Sequence, residues 1–72
     1  DYFHMGVANF YKFTAPGNRE AQRLLNLSRE LDPGFAEAHA WWAYATILGM
    51  VYWDTDPEPA LMDEALAAAV GA

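Results

Sequence analysis

Apolar residues recur at helical spacing in four segments of this chain. In the first, residues 2–13, Phe3, Val7, Phe10 and Tyr11 share one face, and Tyr2, Met5, Ala8 and Asn9 an adjacent one. Its circumference is nearly all apolar, which predicts burial on more than one side. In the second, residues 15–31, Ala21, Leu24, Leu25, Ser28 and Leu31 form a single stripe. Arg19, Glu20, Arg23, Asn26 and Glu30 lie largely away from it, the pattern of an amphipathic surface helix. Thr14 is placed to cap this helix, with Pro16 in the first turn, where a missing N–H costs nothing. Gly17 argues for a frayed start, which makes Asn18 an alternative cap. Asp32-Pro33-Gly34 stops the helix.

The third segment, residues 35–53, holds Trp41, Trp42, Tyr44, Ile47, Leu48, Met50, Val51, Tyr52 and Trp53. Aromatic and β-branched residues favour a strand. Ala36, Ala38, Ala40, Ala43 and Ala45 favour a helix and decide the assignment. Gly49 is a weak point of that helix, marking a bend or a close helix contact. The fourth segment, residues 57–72, is capped by Asp56 with Pro57 at the first helical position. Glu58, Asp63 and Glu64 sit near its positive end. Leu61, Met62, Ala65, Leu66, Ala69 and Val70 make its stripe. The fold expected is all-α, with four helices in two antiparallel helix–turn–helix units over residues 1–33 and 34–72.

The two units repeat each other. Ala21, Leu25 and Ser28 are spaced by four and three, and Ala65, Ala69 and Ala72 follow the same spacing. Tyr2, Met5 and Gly6 read aromatic–x–x–apolar–small, as do His39, Trp42 and Ala43. Leu31-Asp32-Pro33 then leads into Gly34-Phe35-Ala36-Glu37-Ala38. Over its whole length the chain thus resembles the tetratricopeptide repeat, a family of α-solenoids. Within that family it is similar to repeats attached to bacterial nucleotide cyclases and membrane-anchored transcription regulators, through Thr14-x3-Asn18-x2-Ala21. Asn9 and Thr46 stand where the family usually has tyrosine. The longer spacing between Ala21 and Ala65 implies an extended second hairpin.

The resemblance implies which faces do what. Gly6, Ala21, Leu25, Ser28, Trp42, Ala43, Ala65 and Ala69 are expected at repeat-packing contacts. Phe3, Val7, Phe10, Trp41, Tyr44 and Leu48 are expected along a concave groove that takes a peptide or helix. The alternative for these aromatics is packing against a neighbouring repeat. The family's clamp of lysine, asparagine and arginine for C-terminal carboxylates is not expected, since His4, Glu37 and Trp41 hold the comparable positions.

Charge narrows the partners. The formal net charge is −6, and all four basic residues, Lys12, Arg19, Arg23 and Arg29, precede Glu30. Eight acidic residues follow from Glu30 onward. An acidic surface repels phosphate, which disfavours nucleic acid and anionic membranes. The longest uncharged run, Ala38–Trp53, is 16 residues. A membrane span needs ~20, so no membrane insertion is expected. The chain has no cysteine, which removes disulfides and thiolate metal sites and fits a reducing compartment. A cytoplasmic or periplasmic bacterial protein is the setting the resemblance implies. The chain starts at Asp1 and ends within an apolar-periodic stretch. It is therefore read as a segment of a longer helical repeat protein.

No residue pattern in the sequence points to catalytic chemistry. His4 and His39 match no local metal pattern, although neighbouring helices would bring them close. Asp54, Asp56 and Glu58 resemble a calcium loop, but Pro57 interrupts it, the turn glycine is absent and Ala65 stands at the closing position. Ser28 is the only serine and lies on the packing stripe. There is no glycine-rich phosphate loop. No catalytic residue, metal or cofactor is expected. Three readings follow: a module that binds a protein or peptide, repeats that serve only spacing or self-association, and a helical fragment of an enzyme whose catalytic residues lie elsewhere. A segment with open apolar ends is also expected to self-associate or contact neighbouring repeats, through Leu61, Leu66 and Val70 with Tyr52 and Trp53.

Overall fold

The computed structural model describes residues 1–53 and 59–71. It is all-α among those residues, with α1 at Tyr2–Phe10, α2 at Ala15–Leu31, α3 at Ala36–Tyr52 and α4 at Pro59–Gly71. Each helix packs on the one before it, and α1 also touches α3. Phe3 meets Phe35, and Phe10 meets Trp41 and Tyr44, so α1 and α3 run parallel. Asn18 near the start of α2 bonds Ala45 late in α3, and Arg29 near its end reaches His39, so α2 runs antiparallel to α3.

Local chemistry accounts for most helix ends. Asp1 caps α1, its Oδ1 accepting from the His4 N–H at 2.9 Å and from His4 Nδ1 at 3.0 Å. Thr14 caps α2, with Oγ1 accepting from the Gly17 N–H at 3.0 Å. The first helix stops at Phe10 instead of continuing to residue 13. Phe13 has φ 52°, left-handed for a non-glycine residue, which turns the chain so that Thr14 can be extended for its cap. The third helix is one residue shorter at each end than expected, with Phe35 and Trp53 in the flanking positions. The proposed cap Asp56, with Pro57 and Glu58, lies outside the described residues, as does Ala72.

Gly17 does not fray the start of α2. It is buried, and a Cβ there would stand 2.9 Å from the Asn9 carbonyl oxygen, so its smallness lets α1 and α2 meet. Asn18 is not a cap either. It is buried, and its Nδ2 donates to the Ala45 carbonyl at 3.0 Å while its Oδ1 accepts from Gln22 Nε2 at 2.7 Å. Gly49 makes room for that pair, since a Cβ on it would lie 2.6 Å from Asn18 Oδ1. The weak point in the α3 sequence is thus a close helix contact. One turn of α3 back, Thr46 is fully buried, and its hydroxyl has no hydrogen-bond partner among the described residues.

These two buried polar groups predict opposite outcomes. Asn18→Ala removes a buried amide that bonds both the Ala45 carbonyl and Gln22, and is expected to destabilise the chain by about 1–3 kcal/mol. Thr46→Val removes an unpaired hydroxyl at nearly constant shape and is expected to stabilise it by up to about 1 kcal/mol. Urea midpoints of the two variants against the parent chain give both signs. A loss of stability in Thr46→Val would show that this hydroxyl is satisfied in solution.

The core is built from Ala21, Leu25, Trp42, Ala43, Ala45 and Ala65, with Phe3, Val7, Phe10, Trp41, Ile47, Leu61 and Ala68 packed around it. Small residues let α2 and α4 each pack closely on α3, and Trp42 lies buried in the same cluster. Arg29 stacks its guanidinium 3.9 Å from the centre of a Trp42 ring. It also donates from Nε to His39 Nδ1 at 3.0 Å and from Nη1 to Asn26 Oδ1 at 3.2 Å. His39 Nε2 bonds the Pro33 carbonyl at 2.7 Å, which fits the neutral tautomer with its proton on Nε2. The α2–α3 turn is clamped by this chain of contacts.

Two expectations about burial are corrected. The first helix is covered on one side only: Gly6 is its one fully buried residue, while Tyr2 and Met5 are exposed. It lies at the edge of the structure, with α2 against one face and only a corner of α3 beside it. Leu31 belongs to the apolar stripe of α2, yet it is 72% exposed, because the chain turns away at Asp32 just beyond it.

Candidate interaction face

The packing residues and the groove residues are distributed differently. Gly6, Ala21, Leu25, Ser28, Trp42, Ala43 and Ala65 are all buried. A Cβ on Gly6 would stand 2.7 Å from Leu25 Cγ, so this glycine sets the α1–α2 distance. Ala69 departs from the set. It is exposed and lines an open cleft, because α4 turns its Ala65 stripe to α3 one turn earlier.

Of the six groove residues, three come together. Phe10 meets Trp41 edge-on at 5.2 Å and Tyr44 at 5.5 Å, with Trp41 and Tyr44 centroids 6.3 Å apart. Tyr11 joins them, 5.8 Å from Trp41. Phe3 sits at the other end of α1 against Phe35, at 4.8 Å. Val7 lies between these groups, half-buried against the core. Leu48 is half-buried one turn beyond Tyr44. The aromatic rings thus form two groups, Phe3 with Phe35 and Phe10 with Tyr11, Trp41 and Tyr44; Phe3, Phe10, Phe35 and Trp41 are half-buried and Tyr44 is 56% exposed.

Beside Trp41 and Tyr44, α3 and α4 part to leave a cleft of about 300 Å³ lined by Ala40, Trp41, Tyr44, Ile47 and Ala69. Ala40 and Ile47 were not picked out as groove residues by the sequence. Their spacing held a signal, since Ala40, Tyr44 and Ile47 follow one face of α3 at steps of four and three. The place of Ala69 carried none, because it depends on how α4 docks. A second aromatic group joins the α1–α2 turn to the end of α3: Phe13 lies 5.6 Å from Tyr52 and 5.0 Å from Trp53.

The expected association patch is split. Leu61 is half-buried against the core and Trp53 is half-buried beside Phe13, whereas Leu66, Tyr52 and Val70 are exposed, the last at 86%. These exposed positions do not form one surface with Leu61, because that residue faces α3.

Several polar side chains are engaged with neighbours. Arg23 hydrogen-bonds Glu20 one turn away and holds its carboxyl below the usual range, while Glu20 raises the arginine in turn. Both are solvent-exposed, so the pair contributes little to stability. His4 is engaged with Asp1 and His39 with Arg29 and Pro33, so the two histidines have separate partners. Among the described residues, no three histidine or carboxylate side chains gather as metal ligands. None of the described helices is long and apolar enough to cross a membrane. No protein-family model, curated protein or solved structure matches this chain significantly.

Proposed function

We propose that this chain is a non-enzymatic protein-interaction module that takes the apolar side chains of a peptide or helix on the face built by α1, α3 and the start of the α4 cleft. The observation that carries this reading is the half-exposed cluster of Phe10, Tyr11, Trp41 and Tyr44 next to an apolar cleft of about 300 Å³. Aromatic rings held against one another lose little entropy when a partner covers them, which makes them effective anchors. A cleft of this size is at the small end of ligand sites, which run ~300–1,000 Å³, and suits one or two large apolar side chains.

The resemblance to tetratricopeptide repeats supports the same reading. The parallel placement of α1 and α3, with α2 packed on both, is what two stacked helical hairpins would give, and stacked hairpins present a shared face to partners. In this reading the exposed Leu66 and Val70 of α4 are covered by a neighbouring repeat or a second copy.

A calorimetric titration with an amphipathic helical peptide tests the proposal. The peptide carries leucines at i, i+3, i+4 and i+7 and an uncharged polar face. Binding is expected, and Tyr44→Ala is expected to weaken it about tenfold, the effect of one aromatic anchor. Because Tyr44 is exposed, that substitution should leave the melting temperature nearly unchanged. Equal affinity in the parent chain and Tyr44→Ala would move the binding surface elsewhere.

A further inference from the structure

We infer that the end of the molecule where α1 starts, α2 stops and α3 starts is a binding site for a primary alkylammonium ion, the group carried by a small aliphatic amine or a lysine side chain. The site is a pocket of about 270 Å³ that shares no residue with the α3–α4 cleft. The inference therefore stands independently of the interaction reading above. Tyr2 and Phe3 of α1, Leu31 of α2 and Phe35 of the α2–α3 turn give the pocket its apolar walls. Ser28 and Asp32 line it with polar atoms, and so does Asp1.

Ser28 points to a ligand. It is 8% exposed, and its hydroxyl has no hydrogen-bond partner among the described residues. Buried polar groups in folded proteins normally have one. Unlike the sealed hydroxyl of Thr46, that of Ser28 opens to the pocket. Asp32 supplies charge. Its carboxylate has no ion pair or hydrogen bond among the described residues, and Arg29, one turn before it, is committed to His39, Asn26 and Trp42. Asp1 adds a second carboxylate, one oxygen of which is taken by His4. The pocket also lies at the carbonyl end of α2, the negative pole of that helix. The positive ends of α1 and α3 are offset by the Asp1 cap and by Glu37 in the first turn of α3. A primary ammonium has three N–H donors and no acceptor, so the hydroxyl and the carboxylate can both accept from it. The rings of Phe3 and Phe35, 4.8 Å apart and inclined at 62°, form a corner with Tyr2 nearby. Such rings attract a cation and cover its alkyl chain. Water would satisfy the hydroxyl alone; three rings and a free carboxylate gathered round it suit a cation with an apolar tail.

An NMR titration of the full chain with butylammonium, butanol and tetramethylammonium tests the site. The amino group of Asp1 is acetylated so that no terminal ammonium competes. Butylammonium is expected to bind with millimolar affinity and to move the ring resonances of Phe3 and Phe35. Butanol lacks the charge and tetramethylammonium lacks N–H donors, so each should bind at least about tenfold more weakly. Ser28→Ala should weaken butylammonium about tenfold and leave tetramethylammonium unchanged, a difference that lost packing would not produce. Asp32→Asn, at an exposed position, should weaken both cations. Nα-acetyl-lysine methylamide separates the sources of the group: binding as tight as that of butylammonium assigns the pocket to a lysine side chain, and exclusion assigns it to a free amine. The inference holds in either case. Butanol binding as tightly as butylammonium reduces the pocket to an apolar crevice and overturns it. Tetramethylammonium binding as tightly, or Ser28→Ala weakening every probe alike, overturns the assignment to a primary ammonium. Ring shifts confined to Trp41 and Tyr44, or no shifts at all, also overturn it and leave the interaction reading standing.

Discussion

Gly6→Leu is expected to abolish stable folding of this chain. A Cβ at position 6 would stand 2.7 Å from Leu25 Cγ and 2.9 Å from its Cδ2, and 3.3 Å from the Leu25 backbone nitrogen. Leu25 is itself fully buried beside Ala21 and Trp42, so its side chain has little room to retreat. Removing glycine from a helix interior gains about 1 kcal/mol of propensity, whereas overpacking of this kind costs about 1–3 kcal/mol for a small addition. Gly6→Ala should therefore be mildly destabilising. Gly6→Leu places three more carbons into the same contact and should force α1 off α2. A domain of this size has only ~3–5 kcal/mol to lose. Ala21→Leu, at a position with no exposed surface, is expected to act in the same direction. Gly34→Ala is the control, because its new Cβ would meet nothing closer than Asp32 Oδ1 at 3.8 Å. Circular dichroism melts of the four variants decide the matter. Wild-type melting by Gly6→Leu would mean that α1 does not pack on α2 through this glycine.

The second large effect is expected at Trp42. It is 6% exposed, belongs to the core cluster and carries the Arg29 guanidinium on its face. Truncation to alanine should cost about 3–5 kcal/mol, the usual range for a buried tryptophan. Its neighbour Trp41 is half-exposed in the aromatic cluster, so Trp41→Ala should cost much less stability and act mainly on binding. Trp42→Phe should recover part of the loss by refilling the space. Denaturant midpoints and peptide affinities measured together separate the two roles. Similar stability losses at positions 41 and 42 would contradict the division between an inward and an outward ring.

The separation of Trp41 from Trp42 was legible in the sequence, because adjacent residues on a helix point about 100° apart. Legible too were the all-α fold, the Thr14 cap, the stop before Pro33 and the small residues at positions 6, 21, 43 and 65. Each of these follows from local chemistry or from a period that one helix imposes on itself. The helix ends were read less well where the determinant was a backbone conformation: nothing in the type of Phe13 announces a left-handed φ.

The proposed interaction face divides along the same line. Phe10, Trp41 and Tyr44 are groove positions that the family resemblance implies, and their rings are in contact. Asn18, the alternative cap to Thr14, is a buried link between α2 and α3, with Gly49 leaving room for it. Ala69 looked like a packing residue and proved to be a wall of the cleft. Helical periodicity tells which residues share a side of one helix. It does not tell which partner that side meets, at what height, or whether a gap is left between them. The sequence alone determined four helices, their apolar stripes and the one-sided distribution of charge. The tertiary structure alone decided which polar group is buried, which alanine is exposed and where the cleft opens, because those depend on distances between backbones far apart in the chain.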